Sequence, residues 1–251
     1  MTEHPTQLLF VGLPNVGKSS LINNLTGSLL KVGNWTGTTV EKRSLVWKPE
    51  QLEVTFEVID LPGSFSLEAT SPEEEVARRV LLEEDQNHRR ILINVLDAGQ
   101  LERDLYLTLE LLELGQPMLV VLNLVDEAEK FGVEVDSEEL SARLGVPVVS
   151  SVAVSDGGGR EVLEALPQVL TSKVDQPSRP APCQGETALA KLETRLSEVM
   201  ALSQAVRREV PGFQRGASDW QRKLDSALLH PLLGPILFMV AMLLVFRFTF
   251  L

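Results

Sequence analysis

The sequence contains a single cysteine, Cys183, among its 251 residues. It cannot form an internal disulfide, which fits a reducing compartment. The three histidines, His4, His88 and His230, are too scattered along the chain to make a metal site. Basic residues are the minority, 23 Lys and Arg against 35 Asp and Glu, for a net charge of −12. That sign argues against DNA or RNA as the main partner, because phosphate backbones require a basic footprint. The opening stretch, MTEHPTQLLFVGLP, has neither a basic n-region nor a long apolar h-region, so it is not a secretory signal. No repeat of about 20–50 residues is visible. What remains is a globular balance, 44% hydrophobic and 23% charged, in a length suited to one ordinary domain plus something smaller.

Residues 6 to about 170 alternate between short apolar runs and helical patterns. The runs QLLFVGL, LEVTFEVIDL, RILINVLDA, PMLVVLNLVD and VPVVSSVAV are each bounded by Gly, Pro, Asn or Asp. Near-continuous apolar runs of this length predict strands buried on both faces, in a mostly parallel sheet covered by helices. SSLINNLTG, SPEEEVARRVLLEE and LERDLYLTLELLELG supply the helices. Ser71-Pro72 marks a helix start, and Gly115 a stop. The stretch RSLVWKPEQLEVTFEVID predicts a hairpin, so one edge of this α/β sheet is antiparallel. Four divisions follow: an α/β domain over 1–172, a Pro-rich linker over 173–186, a small all-α domain over 187–228, and an apolar segment over 229–251. In the third, Leu189, Leu192, Leu196 and Val199 fall on one helix face. In the fourth, LLHPLLGPILFMVAMLLVF runs without a charge before Arg247, and it is read as the beginning of a transmembrane segment.

The strongest motif is Gly12-Leu13-Pro14-Asn15-Val16-Gly17-Lys18-Ser19, which fits GxxxxGK[ST] between a strand and a helix. Backbone N–H groups of Gly12, Asn15, Val16, Gly17, Lys18, Ser19 and Ser20 would wrap phosphates, Lys18 would meet the β- and γ-phosphates, and the Ser19 hydroxyl would reach Mg²⁺. Asp60-Leu61-Pro62-Gly63 matches DxxG: the carboxylate would hold Mg²⁺ through water, and the Gly63 amide would sense the γ-phosphate. Asn123-Leu124-Val125-Asp126 matches the ends of [NT]KxD. Asp126 can accept from guanine N1–H and the 2-amino group, a donor pair adenine lacks, which selects GTP over ATP. Leu124 stands where many GTPases carry Lys, so a stacking contact on the base is lost, predicting modest affinity and fast exchange. The last base-contact loop is placed at Ser151, Val152, Ala153 and Val154. Switch I should lie in Val32–Glu41, where Thr36, Thr38 and Thr39 all compete for the Mg²⁺ shell and Trp35 is either exposed or a packed anchor. Ser64 occupies the position of the water-positioning Gln of Ras-type enzymes, which predicts slow hydrolysis. Glu73–Glu75 and the acidic stretch from Glu127 to Glu139 are read as solvated faces.

Four stretches, GNWTGTTVE, DLPGSFSLEATSPEEEVAR, NVLDAGQLERDLYLTLELLELG and HPLLGPILFMVAMLLVF, resemble the bacterial ferrous-iron transporter family FeoB. The resemblance covers essentially the whole chain. It implies a Ras-like P-loop GTPase domain, a helical spacer that slows GDP release, and a membrane permease of which only the start is present. It places the soluble part at the cytoplasmic face of the bacterial inner membrane. It selects Thr39 as the Mg²⁺-binding switch I threonine. With no Gln at position 64, the switch backbone at Thr39 and Gly63 is expected to position the attacking water. It also implies that Asn15 ligates K⁺ beside the phosphates, with backbone carbonyls of Gly33, Asn34 and Trp35 completing the shell. The nucleotide, Mg²⁺, K⁺ and the permease are then the expected partners, and association with further copies of the chain is compatible with this reading. Two alternatives differ in class: a soluble GTPase of ribosome or tRNA maturation, and a GTP-sensing module with little turnover.

Overall fold

The computed structural model describes residues 5–36, 38–83, 88–151, 159–171, 188–209, 228 and 233–250. The chain divides into two compact units, residues 1–210 and 211–251. The expected linker, Cys183, His4, His230, Val152, Ala153 and Val154 lie outside the described residues.

In the first unit, β1 (Thr6–Val11), β4 (Phe56–Asp60), β5 (Arg90–Asp97), β6 (Met118–Asn123) and β8 (Val148–Ser150) run parallel. They are joined by β3 (Glu41–Trp47) and β2 (Lys31–Asn34) in a seven-stranded sheet of order β2-β3-β4-β1-β5-β6-β8. Strands β1, β5 and β6 are almost wholly buried, as their unbroken apolar runs require of central strands covered on both faces. The expected hairpin is present, with β3 antiparallel to β4. Strand β2 is a departure: part of the expected switch I loop lies instead as an exposed edge strand against β3. Its alternation is too weak to read from sequence, because an edge strand exposed along its length needs no apolar face.

The helices are α1 (Lys18–Thr26), α2 (Pro72–Leu82), α3 (Leu101–Glu113), α4 (Val125–Lys130), α5 (Ser137–Leu144), α6 (Arg160–Thr171) and α7 (Ala188–Val206). The Ser71 hydroxyl caps α2 by accepting from the Glu74 N–H at 3.2 Å, and Pro72 opens it as its fixed φ favours. Helix α7 packs on α3 and α5, burying Val199, Leu202 and Val206. The chain then continues into β9 (Arg207–Glu209), which pairs antiparallel with β7 (Val133–Val135). The acidic stretch 127–139 is therefore not a solvated face throughout: its glutamates Glu127, Glu129 and Glu134 are exposed, but Ala128 and Val133 are buried. In α7, Val199 faces inward, whereas Leu192, Leu196 and Met200 are exposed.

In the second unit, α8 (Leu233–Phe250) is apolar around its circumference, with Phe238, Met242, Leu244, Phe246 and Phe248 among its exposed side chains. Among the described residues, no helix is long and apolar enough to cross a membrane. The 18 residues of α8 run about 27 Å, against a hydrocarbon core of roughly 30 Å.

Candidate active site

The carboxyl ends of the parallel strands lie at one edge of the sheet, where α/β folds gather ligands. From β1 the chain enters the Gly12–Ser19 loop and then α1. Gly17 has φ 87°, and a Cβ there would lie 2.3 Å from Asn123 Nδ2, so only glycine fits. Asn123 is fully buried and donates from Nδ2 to the Val16 carbonyl at 2.8 Å. The first residue of the NxxD motif thus braces the loop against β6. The loop is crowded from the other side by the DxxG segment, since a Cβ on Gly63 would sit 2.8 Å from the Pro14 nitrogen. The Ser64 N–H also donates to the Gly12 carbonyl at 3.3 Å.

A cavity of roughly 460 Å³ opens here, lined by Asn15, Lys18, Ser19, Thr39, Asp60 and Gly63 together with Pro14, Glu41, Arg43 and Glu73. Three separated motifs, the phosphate loop, switch I and DxxG, therefore meet. Lys18 is buried and donates from Nζ to the carbonyls of Gly12 and Leu13, both at 3.0 Å. Burial lowers its pKa, opposed by the carboxylates of Asp60 and Asp104. The Ser19 hydroxyl donates to Asp60 Oδ2 at 2.5 Å, while Asp60 Oδ1 is buried without a partner among the described residues. Burial pushes the Asp60 carboxyl above the usual range, opposed by the Ser19 hydroxyl and then by Lys18 and Arg43. An orphaned, buried carboxylate oxygen beside a serine hydroxyl is a hard-oxygen donor set that fits Mg²⁺.

Asn15, with φ 67°, is exposed at the cavity. The switch I residues expected to join it are not gathered there. Gly33 and Asn34 are held in the β2–β3 ladder opposite Lys42 and Glu41. The Trp35 carbonyl accepts from the Thr38 N–H and hydroxyl at 3.0 and 3.2 Å. Trp35 is half-buried and packs on the core, which favours the anchor over the exposed loop residue.

Leu124 has φ 58° at the start of α4, a strained conformation for a leucine, and Asp126 pairs with Lys130 at 3.4 Å. Ser151 is buried and donates its N–H to the Leu122 carbonyl at 2.7 Å. Ser64 is buried with its hydroxyl donating to the Ser66 carbonyl at 2.7 Å, so it is occupied within its own loop.

Sequence reasoning missed the acids behind the cavity. Glu74 is buried rather than solvated: it accepts from the N–H groups of Phe65 and Thr70 at 3.2 and 2.8 Å and from the Thr70 hydroxyl at 2.6 Å. The Thr70 bonds chiefly hold its carboxyl below the usual range. Glu110 of α3 accepts the Leu67 N–H at 2.6 Å on one oxygen and Arg195 of α7 at 2.8 Å on the other. Burial raises its pKa, opposed by the Leu67 N–H and Arg195. The acidic first turn of α2 was the available signal for Glu74; nothing local pointed to Glu110.

The family described as "Ferrous iron transport protein B" matches residues 6–166. The chain belongs to the FeoB family. It is 36% identical over 244 residues to the Fe(2+) transporter FeoB of Campylobacter jejuni, covering 97% of this chain and 38% of that protein. It is 46% identical over 158 residues to that of Escherichia coli K12, covering 61% of this chain and 20% of that protein. The chain thus spans well under half the length of these FeoB relatives. The cytosolic domain of L. pneumophila FeoB superposes with a TM-score of 0.70 at 28% identity, over 81% of this chain and 100% of that one. The cytosolic domain of T. maritima FeoB in its GMPPNP form gives 0.69 at 27%, again over 81% of this chain and 100% of that one. The mixed, mostly parallel sheet with its flanking helices is the Ras-like P-loop GTPase fold of these FeoB domains.

Proposed function

We propose that this chain is the GTP-binding and slowly hydrolysing regulatory part of a ferrous-iron membrane transporter. One observation carries the reading: Lys18, Ser19, Thr39, Asp60 and Gly63, whose ends lie 45 positions apart in sequence, line a single cavity. Solved FeoB cytosolic domains in GDP and GMPPNP forms support the choice of nucleotide. The division into a GTPase domain over 1–172, a linker, a helical domain over 187–228 and the start of a membrane segment over 229–251 is part of the proposal. Membership of the FeoB family disfavours the ribosome-maturation alternative.

Binding begins with Lys18, which exchanges the Gly12 and Leu13 carbonyls for phosphate oxygens. The N–H groups of Gly12 and of Asn15–Ser20 hold the same phosphates, and Asp126, with the loop at Ser151–Ala153, selects guanine. Ser19, Thr39 and Asp60 would hold Mg²⁺, which neutralises phosphate charge when bound. Backbone groups of Thr39 and Gly63 orient the attacking water, since Ser64 is committed to Ser66. Asn15 would hold K⁺, but the carbonyls of Gly33, Asn34 and Trp35 can join it only after β2 leaves the ladder. Capture of the Gly63 amide by the γ-phosphate would pull on the 63–70 loop, and through Leu67, Glu110 and Arg195 on α7.

The test is GTP turnover by this chain in KCl and in NaCl at equal ionic strength, with fluorescent-nucleotide binding measured alongside. Specific GTP binding with slow turnover, stimulated by K⁺ in the parent but not in Asn15→Ala, is expected. Binding without turnover in either salt would favour the GTP-sensing module. Absence of GTP binding would refute the reading.

A further inference from the structure

The β3–β4 register sets Trp47 opposite Phe56, Leu45 opposite Val58, and Arg43 opposite Asp60. Directly opposed side chains share a sheet face, and alternate residues return to it. The Trp47 and Phe56 rings lie 5.7 Å apart, and Leu45, Phe56 and Val58 are buried, so this face turns into the core. Its last pair is charged, and both members line the phosphate cavity. Among the described residues, Arg43 is not held there by a strong partner. Its Nε and Nη2 donate to the same Glu41 oxygen at 3.3 and 2.9 Å, and the two side chains are 47% and 57% exposed. A pair so exposed contributes about 0–1 kcal/mol and is readily exchanged. It also leaves part of the five-donor guanidinium fork for another anion.

We propose that Arg43 is a catalytic residue: with GTP bound, its guanidinium leaves Glu41 for the γ-phosphate oxygens and stabilises the charge that develops as the β–γ bridge breaks. The proposal rests on the GTP-hydrolysis reading above. Water adds to the γ-phosphorus, and the bond from that phosphorus to the bridging oxygen breaks with its electron pair left on GDP. The water proton passes to the departing phosphate. Arg43 exchanges no proton; its contribution is electrostatic, like that of an arginine supplied by a partner in other GTPases. Glu41 is its resting partner and competes with the phosphate.

The experiment uses the full chain and measures kcat, KM, GDP affinity, the Mg²⁺ midpoint and formation of the GDP–aluminium fluoride complex. A fully desolvated arginine in this role is worth 10³–10⁵ in rate, so a half-exposed one should give roughly 10- to 100-fold. Arg43→Ala should lower kcat by that factor and abolish the fluoroaluminate complex, with KM and GDP affinity within about threefold of the parent. Arg43→Lys should recover part of the rate, and Glu41→Gln should raise kcat about twofold by releasing the guanidinium. Arg43→Gln replaces the alanine variant if circular dichroism shows that the latter is unfolded. Unchanged kcat with an intact fluoroaluminate complex would overturn the proposal. So would a rate loss that follows the Mg²⁺ midpoint and is restored by added Mg²⁺, because Arg43 would then act only on Asp60. A parent chain that neither binds nor hydrolyses GTP would overturn the underlying reading, and Arg43's role with it, whatever the variants do.

Discussion

Replacing Arg195 by methionine removes the cation that faces both Glu110 and Glu113. The guanidinium donates to Glu110 at 2.8 Å and Glu113 at 2.6 Å, and also lies over the Tyr106 ring at 5.2 Å. The Arg195 and Glu110 side chains are only 8% and 6% exposed, so the bond to Glu110 is a buried ion pair. Removing one partner of such a pair typically costs about 3–5 kcal/mol, because the other charge is left desolvated. Glu110 can limit the loss by taking up a proton, at about 1.4 kcal/mol per pKa unit, and Glu113 is partly exposed to water. The lower end, about 3 kcal/mol, is therefore expected for Arg195→Met. The double variant Glu110→Gln with Arg195→Met should lose less than the sum of the single losses by at least about 1 kcal/mol, since it leaves no carboxylate facing methionine at position 110. The same pair receives the Leu67 N–H at 2.6 Å, so loosening it frees the loop behind Gly63. GDP release, followed with a fluorescent nucleotide, should quicken about tenfold, which corresponds to about 1.4 kcal/mol. Urea unfolding measures the first effect and stopped-flow displacement the second. A loss below about 1 kcal/mol, additive single variants and an unchanged release rate would together refute the coupling.

Two further outcomes follow from the polar groups near the cavity. Asn123→Ala should destabilise the protein by about 1–3 kcal/mol and weaken nucleotide binding at least tenfold, because the Val16 carbonyl loses its 2.8 Å donor; calorimetry with GDP measures it. Asp104 is fully buried, accepts the Asp97 N–H at 2.7 Å, and has its carboxyl pushed up to about 6 by burial. A carboxyl raised from its ordinary 3.8 stabilises the fold below that value and loses this contribution as pH rises through about 6. Stability relative to Asp104→Asn should therefore fall by up to about 3 kcal/mol between pH 4 and pH 7; equal pH profiles for the two proteins would refute the assignment.

Much of the fold was legible because its signals are local. Unbroken apolar runs announced β1, β5 and β6, and Ser71-Pro72 announced α2, since a cap and a fixed φ act within one turn. Strand β2 was not legible: its residues are exposed and its pairing comes from β3, not from its own pattern. Strand β9 follows α7 directly and exists through its pairing with β7, which a three-residue stretch does not advertise. Glu74 looked like an ordinary acidic first turn, and only the return of the 65–70 loop across it made it a buried acceptor.

The sequence by itself determined the phosphate loop, the DxxG and NxxD segments and their order. These depend on positive-φ glycine, on a strand feeding a helix, and on donor and acceptor types, all carried by contiguous residues. Tertiary structure alone decided which distant residues share a face or a buried partner. Arg195 and Glu110 are 85 residues apart, Arg43 meets Asp60 through strand register, and Asn123 reaches Val16 across 107 residues. Periodicity specifies which side of a helix or strand is turned inward, but a partner is chosen only when two such sides are packed together, and the desolvation that gives these polar groups their energies arises at the same moment.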